Sequence, residues 1–150
     1  MIPDCIDIGA PWKVLPPGVH TATLKEIEKR FSTNDRRRFL FEGLTWGVKA
    51  LKKAGCIQLF LDGSFVTAKT FPNDYDICWD DTGISRLQLD PVFLDFNHNR
   101  KKQKEKYYGE YFPTTFLANG ARFFLDYFQT DKHTGKAKGI IRLQLSKEPI

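Results

Sequence analysis

Residues 57–79 read Ile-Gln-Leu-Phe-Leu-Asp-Gly-Ser-Phe-Val-Thr-Ala-Lys-Thr-Phe-Pro-Asn-Asp-Tyr-Asp-Ile-Cys-Trp. An apolar run ends in Gly63-Ser64, and ten positions after the serine Asp74-Tyr75-Asp76 opens a second apolar run. Gly63 has no Cβ, so the backbone can bend there and let an anion approach. Ser64 adds a hydroxyl beside the amides of the turn. A helix starting over Phe65–Lys69 would aim free N–H groups and its positive end at that anion. Asp74 and Asp76 are hard oxygen ligands of the kind Mg²⁺ takes together with phosphate oxygens and water. A phosphate-holding turn beside two carboxylates is the minimum equipment for handling a nucleoside triphosphate. Bridging metal ions would neutralise the phosphates, activate an attacking hydroxyl and stabilise departing pyrophosphate. Lys69 reads either as a phosphate contact or as a solvated lysine.

The elements around these residues follow from periodicity. Residues 57–62 form a buried strand, and Asp74–Trp79 the next. Alternation puts Asp74, Asp76 and Cys78 on one face and Tyr75, Ile77 and Trp79 on the other, with the two carboxylates about 7 Å apart along the strand. Thr23-Leu24-Lys25-Glu26 has capping-box spacing and predicts a helix over about 22–31. Leu40, Leu44, Val48 and Leu51 share one face of a second helix ending near Gly55. Asp90-Pro91 marks a helix start, expected to run through Phe93, Leu94 and His98. Tyr107–Phe112 reads as a strand. Phe123, Phe124, Tyr127 and Phe128 suggest a helix over about 119–128 with a core face. Residues 140–145 form a last strand. Residues 1–18, with Pro3, Pro11, Pro16 and Pro17, read as an extended arm pinned by Trp12, Val14 and Leu15. The expected fold class is α/β (α+β), a mixed β-sheet with flanking helices in a single domain of residues 1–150.

The chain has 150 residues, 41% of them hydrophobic, so it can bury a core and is not disordered. No apolar run approaches the ~20 residues that span a bilayer, and the N-terminus has no signal-peptide layout, so a cytoplasmic protein without membrane association is expected. The three cysteines are widely spaced and read as buried free thiols, not a zinc site. The net charge of +5 is clustered in Arg36-Arg37-Arg38, in residues 100–106, and in Lys132, Lys136 and Lys138. Each block suits either a solvated surface or a polyanion such as RNA or a triphosphate.

Strand, Gly63-Ser64, a short connection with Ala68-Lys69, then Asn73 before Asp74-Tyr75-Asp76 on the next strand resembles the core of the polymerase-β-type nucleotidyltransferase superfamily. It is closest to the minimal nucleotidyltransferases of bacteria. The fuller strings Asp62–Thr67, Pro72–Asp76, Tyr111-Phe112-Pro113, Phe124–Gln129 and Lys138–Ile141 also resemble a family of small bacterial and phage proteins of uncharacterised function. The Gly-to-Asp spacing is one residue shorter than in the minimal enzymes, and Pro72 replaces part of their connecting helix. The superfamily supplies a third carboxylate from a later strand. Glu110 is the candidate, with Asp126 and Asp95 behind it on expected helices. Glu110 reads equally as an exposed strand residue.

The resemblance implies an Mg²⁺-dependent nucleotidyltransferase that moves a nucleotide from ATP or another triphosphate to a hydroxyl of RNA, such as a tRNA end, or of a protein. In that reading Gly63, Ser64 and Lys69 bind the nucleotide, Asp74 and Asp76 hold metal, and Glu110 completes the catalytic set. A toxin–antitoxin or phage-defence setting, with a partner protein from a neighbouring gene, is part of what it implies. The alternative is a catalytically incomplete nucleotidyltransferase-fold binding module, antitoxin-like or RNA-binding.

Overall fold

A computed structural model describes residues 1–119 and 122–150. Along the chain come β1 (Gly18–Thr21), α1 (Leu24–Phe31), α2 (Asp35–Lys53), β2 (Gln58–Asp62), a 3₁₀ turn (Ser64–Val66), β3 (Asp76–Trp79) and a second 3₁₀ turn (Pro91–Leu94). Then follow α3 (Asn97–Tyr107), β4 (Glu110–Pro113), β5 (Leu117–Asn119), β6 (Arg122–Phe123), α4 (Phe124–Tyr127), β7 (Gly139–Gln144) and a closing 3₁₀ turn (Leu145–Lys147). Five strands form a mixed sheet in the order β1-β7-β2-β3-β4, with β1/β7 and β3/β4 parallel and the two central pairs antiparallel. β5 and β6 form a separate hairpin. The fold is α+β.

Side chains at Leu59, Leu61, Ile77, Trp79, Tyr111, Ile141 and Leu143 meet the apolar stripe of α1 and α2 in the main core. α1 starts where its sequence says it should, with the Thr23 hydroxyl accepting from Glu26 N at 3.2 Å. α2 lies close on the sheet because Gly47 leaves room. A Cβ there would sit 1.9 Å from the Tyr111 hydroxyl oxygen. That hydroxyl is 2.6 Å from the Tyr75 hydroxyl, which also donates to Tyr107 O at 2.5 Å. The other sheet face holds a smaller cluster of Phe60, Cys78, Phe112, Ile140 and Phe128. Cys56 and Cys78 are free and buried, and burial pushes both thiols up to about 12.

Several expected elements take another form. The residues after Ser64 make one 3₁₀ turn and Thr67 is already extended, so no helix runs over Phe65–Lys69. The carbonyls of Phe65, Thr67 and Lys69, which would accept helical bonds, accept instead from Arg37. The helix begun at Asp90 stops after Leu94. Asp95 Oδ1 then caps Asn97 N at 3.0 Å, and His98, Asn99 and Arg100 adopt left-handed geometry before α3 becomes regular. Tyr107 ends α3, so the strand expected from there begins at Glu110. The helix expected over 119–128 is confined to Phe124–Tyr127, after the β5–β6 hairpin, and residues 120–121 lie outside the described residues. Only Phe124 and Phe128 of its four aromatics pack with the small cluster. Phe123 and Tyr127 face outward. The arm expected to be extended instead doubles back: Ile6 and Val14 pair antiparallel across a run of bends, Ile6 N donating to Val14 O at 2.7 Å and Val14 N to Ile6 O at 3.0 Å. Buried Val14 and Leu15 tie it down, and its end, Gly18, opens β1, a strand the periodicity does not reveal.

Candidate functional site

In β2, β3 and β4 one row of the sheet is acidic. Asp62 pairs with Asp76, and Asp76 with Glu110. Residues paired across strands sit about 5 Å apart, so three carboxylates line one sheet face next to the row Phe60, Cys78 and Phe112. Asp74 joins them from just before β3. These residues open into a cleft of about 610 Å³ whose walls include Gly63, Ser64, Lys69, Asp74, Asp76 and Glu110. All six residues singled out from the sequence therefore meet in one place. Asp126 is exposed and outside that wall, and Asp95 pairs with Lys102 at 3.8 Å, so neither supplies a third carboxylate.

Gly63 is required by this geometry. Its φ is 89°, and an added Cβ would fall 3.1 Å from Asp76 Oδ2 and 3.2 Å from Asp76 N. The turn is thus pressed against the first residue of β3. Ser64 lies in the 3₁₀ turn that follows. The Lys69 ammonium sits 4.8 Å from the centroid of the Trp12 ring, and both residues line the cleft.

Among the described residues the ion pairs of this row fall on Asp62 and Glu110 and leave Asp74 and Asp76 without one. Lys138 Nζ pairs with Asp62 at 3.0 Å, while Arg100 and Lys104 reach Glu110 Oε1 at 3.3 and 3.0 Å. Burial, then Glu110, Asp62 and Asp74, and a hydrogen bond with the Glu110 carboxyl push the Asp76 carboxyl well above its ordinary range. Burial and Glu110 also raise Asp74, against the pull of Lys104, Arg36 and Arg100. Burial raises Asp62, against the pull of Lys138. Asp76 Oδ1 is fully covered and has no hydrogen-bond partner. Crowded carboxylates with an orphaned oxygen suit a hard divalent cation, which takes one or two carboxylates and completes its shell with phosphate and water. Among the described residues no group of three or more His, Cys, Asp or Glu is arranged to hold an ion. Asp74 and Asp76 are the residues that could hold such a cation, with a bound ligand and water completing its shell.

The first turn of α2 positions the connection between Gly63 and Asp74. Arg37 is buried and donates to the carbonyls of Phe31 (3.2 Å), Phe65 (2.6 Å), Thr67 (2.7 Å) and Lys69 (2.5 Å). Arg36 donates to the carbonyls of Pro72 (3.0 Å) and Asn73. Arg36 and Arg37 of the arginine block thus hold the loop, while exposed Arg38 pairs with Asp35. Reading the sequence overlooked Asp62, Arg36, Arg37, Arg100 and Lys104 as site residues, although Asp62 directly precedes Gly63 and the cations stood in the noted blocks.

A family model described as Family of unknown function (DUF6932) matches residues 10–144. The chain belongs to that family. Comparisons with curated proteins and with solved structures found no match. The matched span of this DUF6932 member includes every residue of the acidic row and its cations.

Proposed function

We propose that this protein is a Mg²⁺-dependent nucleotidyltransferase. One observation carries the reading: the Gly63-Ser64 turn is packed directly on Asp76, in a cleft where Asp74, Asp76 and Glu110 converge and Asp76 Oδ1 lacks a partner. Asp74 and Asp76 would hold the metal, which when bound supplies charge neutralisation along the triphosphate. The amides and hydroxyl of Gly63-Ser64 receive phosphate oxygens, and Lys69 adds a cation at the Trp12 end of the cleft. The acceptor hydroxyl oxygen bonds to the α-phosphorus while the bond to pyrophosphate breaks. Its proton passes to a carboxylate, and the pairing of Glu110 beside Asp76 supports Glu110 in that role. The donor is ATP or another triphosphate, and the acceptor a hydroxyl of RNA or protein. The setting is the cytoplasm, in a toxin–antitoxin or phage-defence pair. Among the described residues no helix is long and apolar enough to cross a membrane.

Radiolabel transfer from α-labelled nucleotide with Mg²⁺ tests this. Wild type should label an acceptor from cell extract, and Asp74→Ala and Asp76→Ala should lose at least about 100-fold, as removal of a transition-state charge partner does. Equal labelling by all three proteins would end the catalytic reading.

A second reading is favoured by the ion pairs of Glu110 with Arg100 and Lys104, which occupy the third acid. The chain is then a nucleotidyltransferase-like binding module without turnover. It would bind RNA or a partner protein in a salt-dependent way and show no nucleotide-dependent thermal shift.

A further inference from the structure

Four non-glycine residues of the described chain have positive φ, and three are consecutive: His98 (52°), Asn99 (58°) and Arg100 (61°). Left-handed geometry is disfavoured for residues with a Cβ, and three in a row persist only where the surroundings hold them. Here they bring Arg100 to the cleft wall. Its guanidinium lies 5.0 Å from the Phe112 ring centroid, and its Nη2 donates to Asn99 Oδ1 at 2.6 Å and Glu110 Oε1 at 3.3 Å. Its Nε is buried and has no partner. One turn along α3, Lys104 Nζ reaches the same Glu110 oxygen at 3.0 Å.

We infer that Arg100 is a phosphate-binding residue of this cleft, which leaves Glu110 for the polyphosphate chain of an incoming nucleotide. The inference rests on the transferase reading for the identity of that ligand. A guanidinium offers five donors in a planar fork that suits phosphate oxygens. Arg100 uses Nη2 alone toward side-chain acceptors and carries a covered, unpaired Nε, so it has donor capacity to spare on a wall shared with Ser64 and Asp74. The carboxylates of Asp62, Asp74, Asp76 and Glu110 repel a polyanion, and Arg100, held on Glu110 beside them, supplies countercharge to the phosphates together with Lys69, Arg122, Lys132 and Lys138 of the same cleft. When Arg100 turns away, Lys104 keeps Glu110 oriented. Glu110 then faces Asp76 with one competing cation fewer, and the third acid becomes available only when nucleotide is present.

Inorganic tripolyphosphate is the probe, titrated calorimetrically into the full chain with and without Mg²⁺. Arg100→Ala should weaken binding roughly ten- to a hundredfold, the worth of one or two charge-assisted hydrogen bonds, and Arg100→Lys should recover part of it. Glu110→Gln should strengthen Mg²⁺-free binding several-fold, because it frees Arg100. A Glu110 that served only as a metal ligand would leave Mg²⁺-free binding unchanged on that substitution, which would overturn the exchange. Unaltered affinity in Arg100→Ala, or no binding by wild type under either condition, would also overturn it. Should Arg100→Ala fold poorly by circular dichroism, Arg100→Lys and Glu110→Gln still decide. Failure of the transferase reading looks different: no label transfer, with tripolyphosphate binding still dependent on Arg100.

Discussion

The Asp76 carboxyl is held well above its ordinary value of 3.8 by burial and by Glu110, Asp62 and Asp74. Between 3.8 and its raised folded value, the native state binds more protons at this group than the unfolded chain does. Stability contributed by Asp76 is therefore highest at low pH and is lost as pH rises through that window. At neutral pH the ionised Asp76 carboxylate is destabilising. In chelator, Asp76→Asn should unfold at a higher urea concentration than wild type at pH 7. The advantage should vanish toward pH 3.5, and Mg²⁺ should stabilise wild type alone. A midpoint difference that did not change with pH would contradict this. Arg37 has the opposite role. It is 4% exposed and bonded to four carbonyls, so Arg37→Ala leaves buried acceptors unpaired and should lower stability by about 3 kcal/mol. Arg37→Lys should not restore it, because one ammonium cannot span four carbonyls. Urea titration of both variants checks the claim.

At the scale of elements, α3 and β4 act as one unit. Gln103 is fully buried in α3 and closes the outer edge of β4. Its Oε1 accepts from Tyr111 N at 2.7 Å, and its Nε2 donates to Tyr111 O at 3.3 Å and Val92 O at 3.1 Å. Gln103→Ala should lose about 2–3 kcal/mol and accelerate amide exchange at Tyr111, since a buried edge amide would have no partner. Unchanged exchange there would show that the edge does not need the clamp. The helices α1 and α2 and the strands β2, β3 and β7 were legible because their own apolar spacing matches 3.6 or 2 residues. α3 was not, because its entry through His98, Asn99 and Arg100 is left-handed, which no residue pattern there signals, and Arg100 meets Phe112 and Glu110 only in the folded chain. The hairpin β5–β6 was hidden because Phe123, Phe124, Tyr127 and Phe128 mimic a helical stripe, while only Phe128 is buried and Phe124 half-buried.

Across the whole molecule the N-terminal arm is part of the body. Ala68 N donates to Lys13 O and Gly139 N to Leu15 O, both at 2.9 Å, so the arm braces the loop after Ser64 and the approach to β7 together. Removing residues 1–15 should abolish cooperative thermal unfolding as seen by circular dichroism. A sharp melt in the truncated chain would show the arm to be dispensable.

Local pattern was enough to read the Gly63-Ser64 turn, the shared face of Asp74 and Asp76, and the mixed sheet with helices, because each depends on backbone geometry over a few neighbouring residues. Which groups surround those acids depended on the folded chain. Glu110 reaches Asp76 only through the parallel pairing of β3 and β4, Lys138 reaches Asp62 from the approach to β7, and Arg37 lies under the loop instead of in solvent. Those placements join residues distant in sequence, and their energies come from burial and pairing that exist only once the sheet has closed over its core.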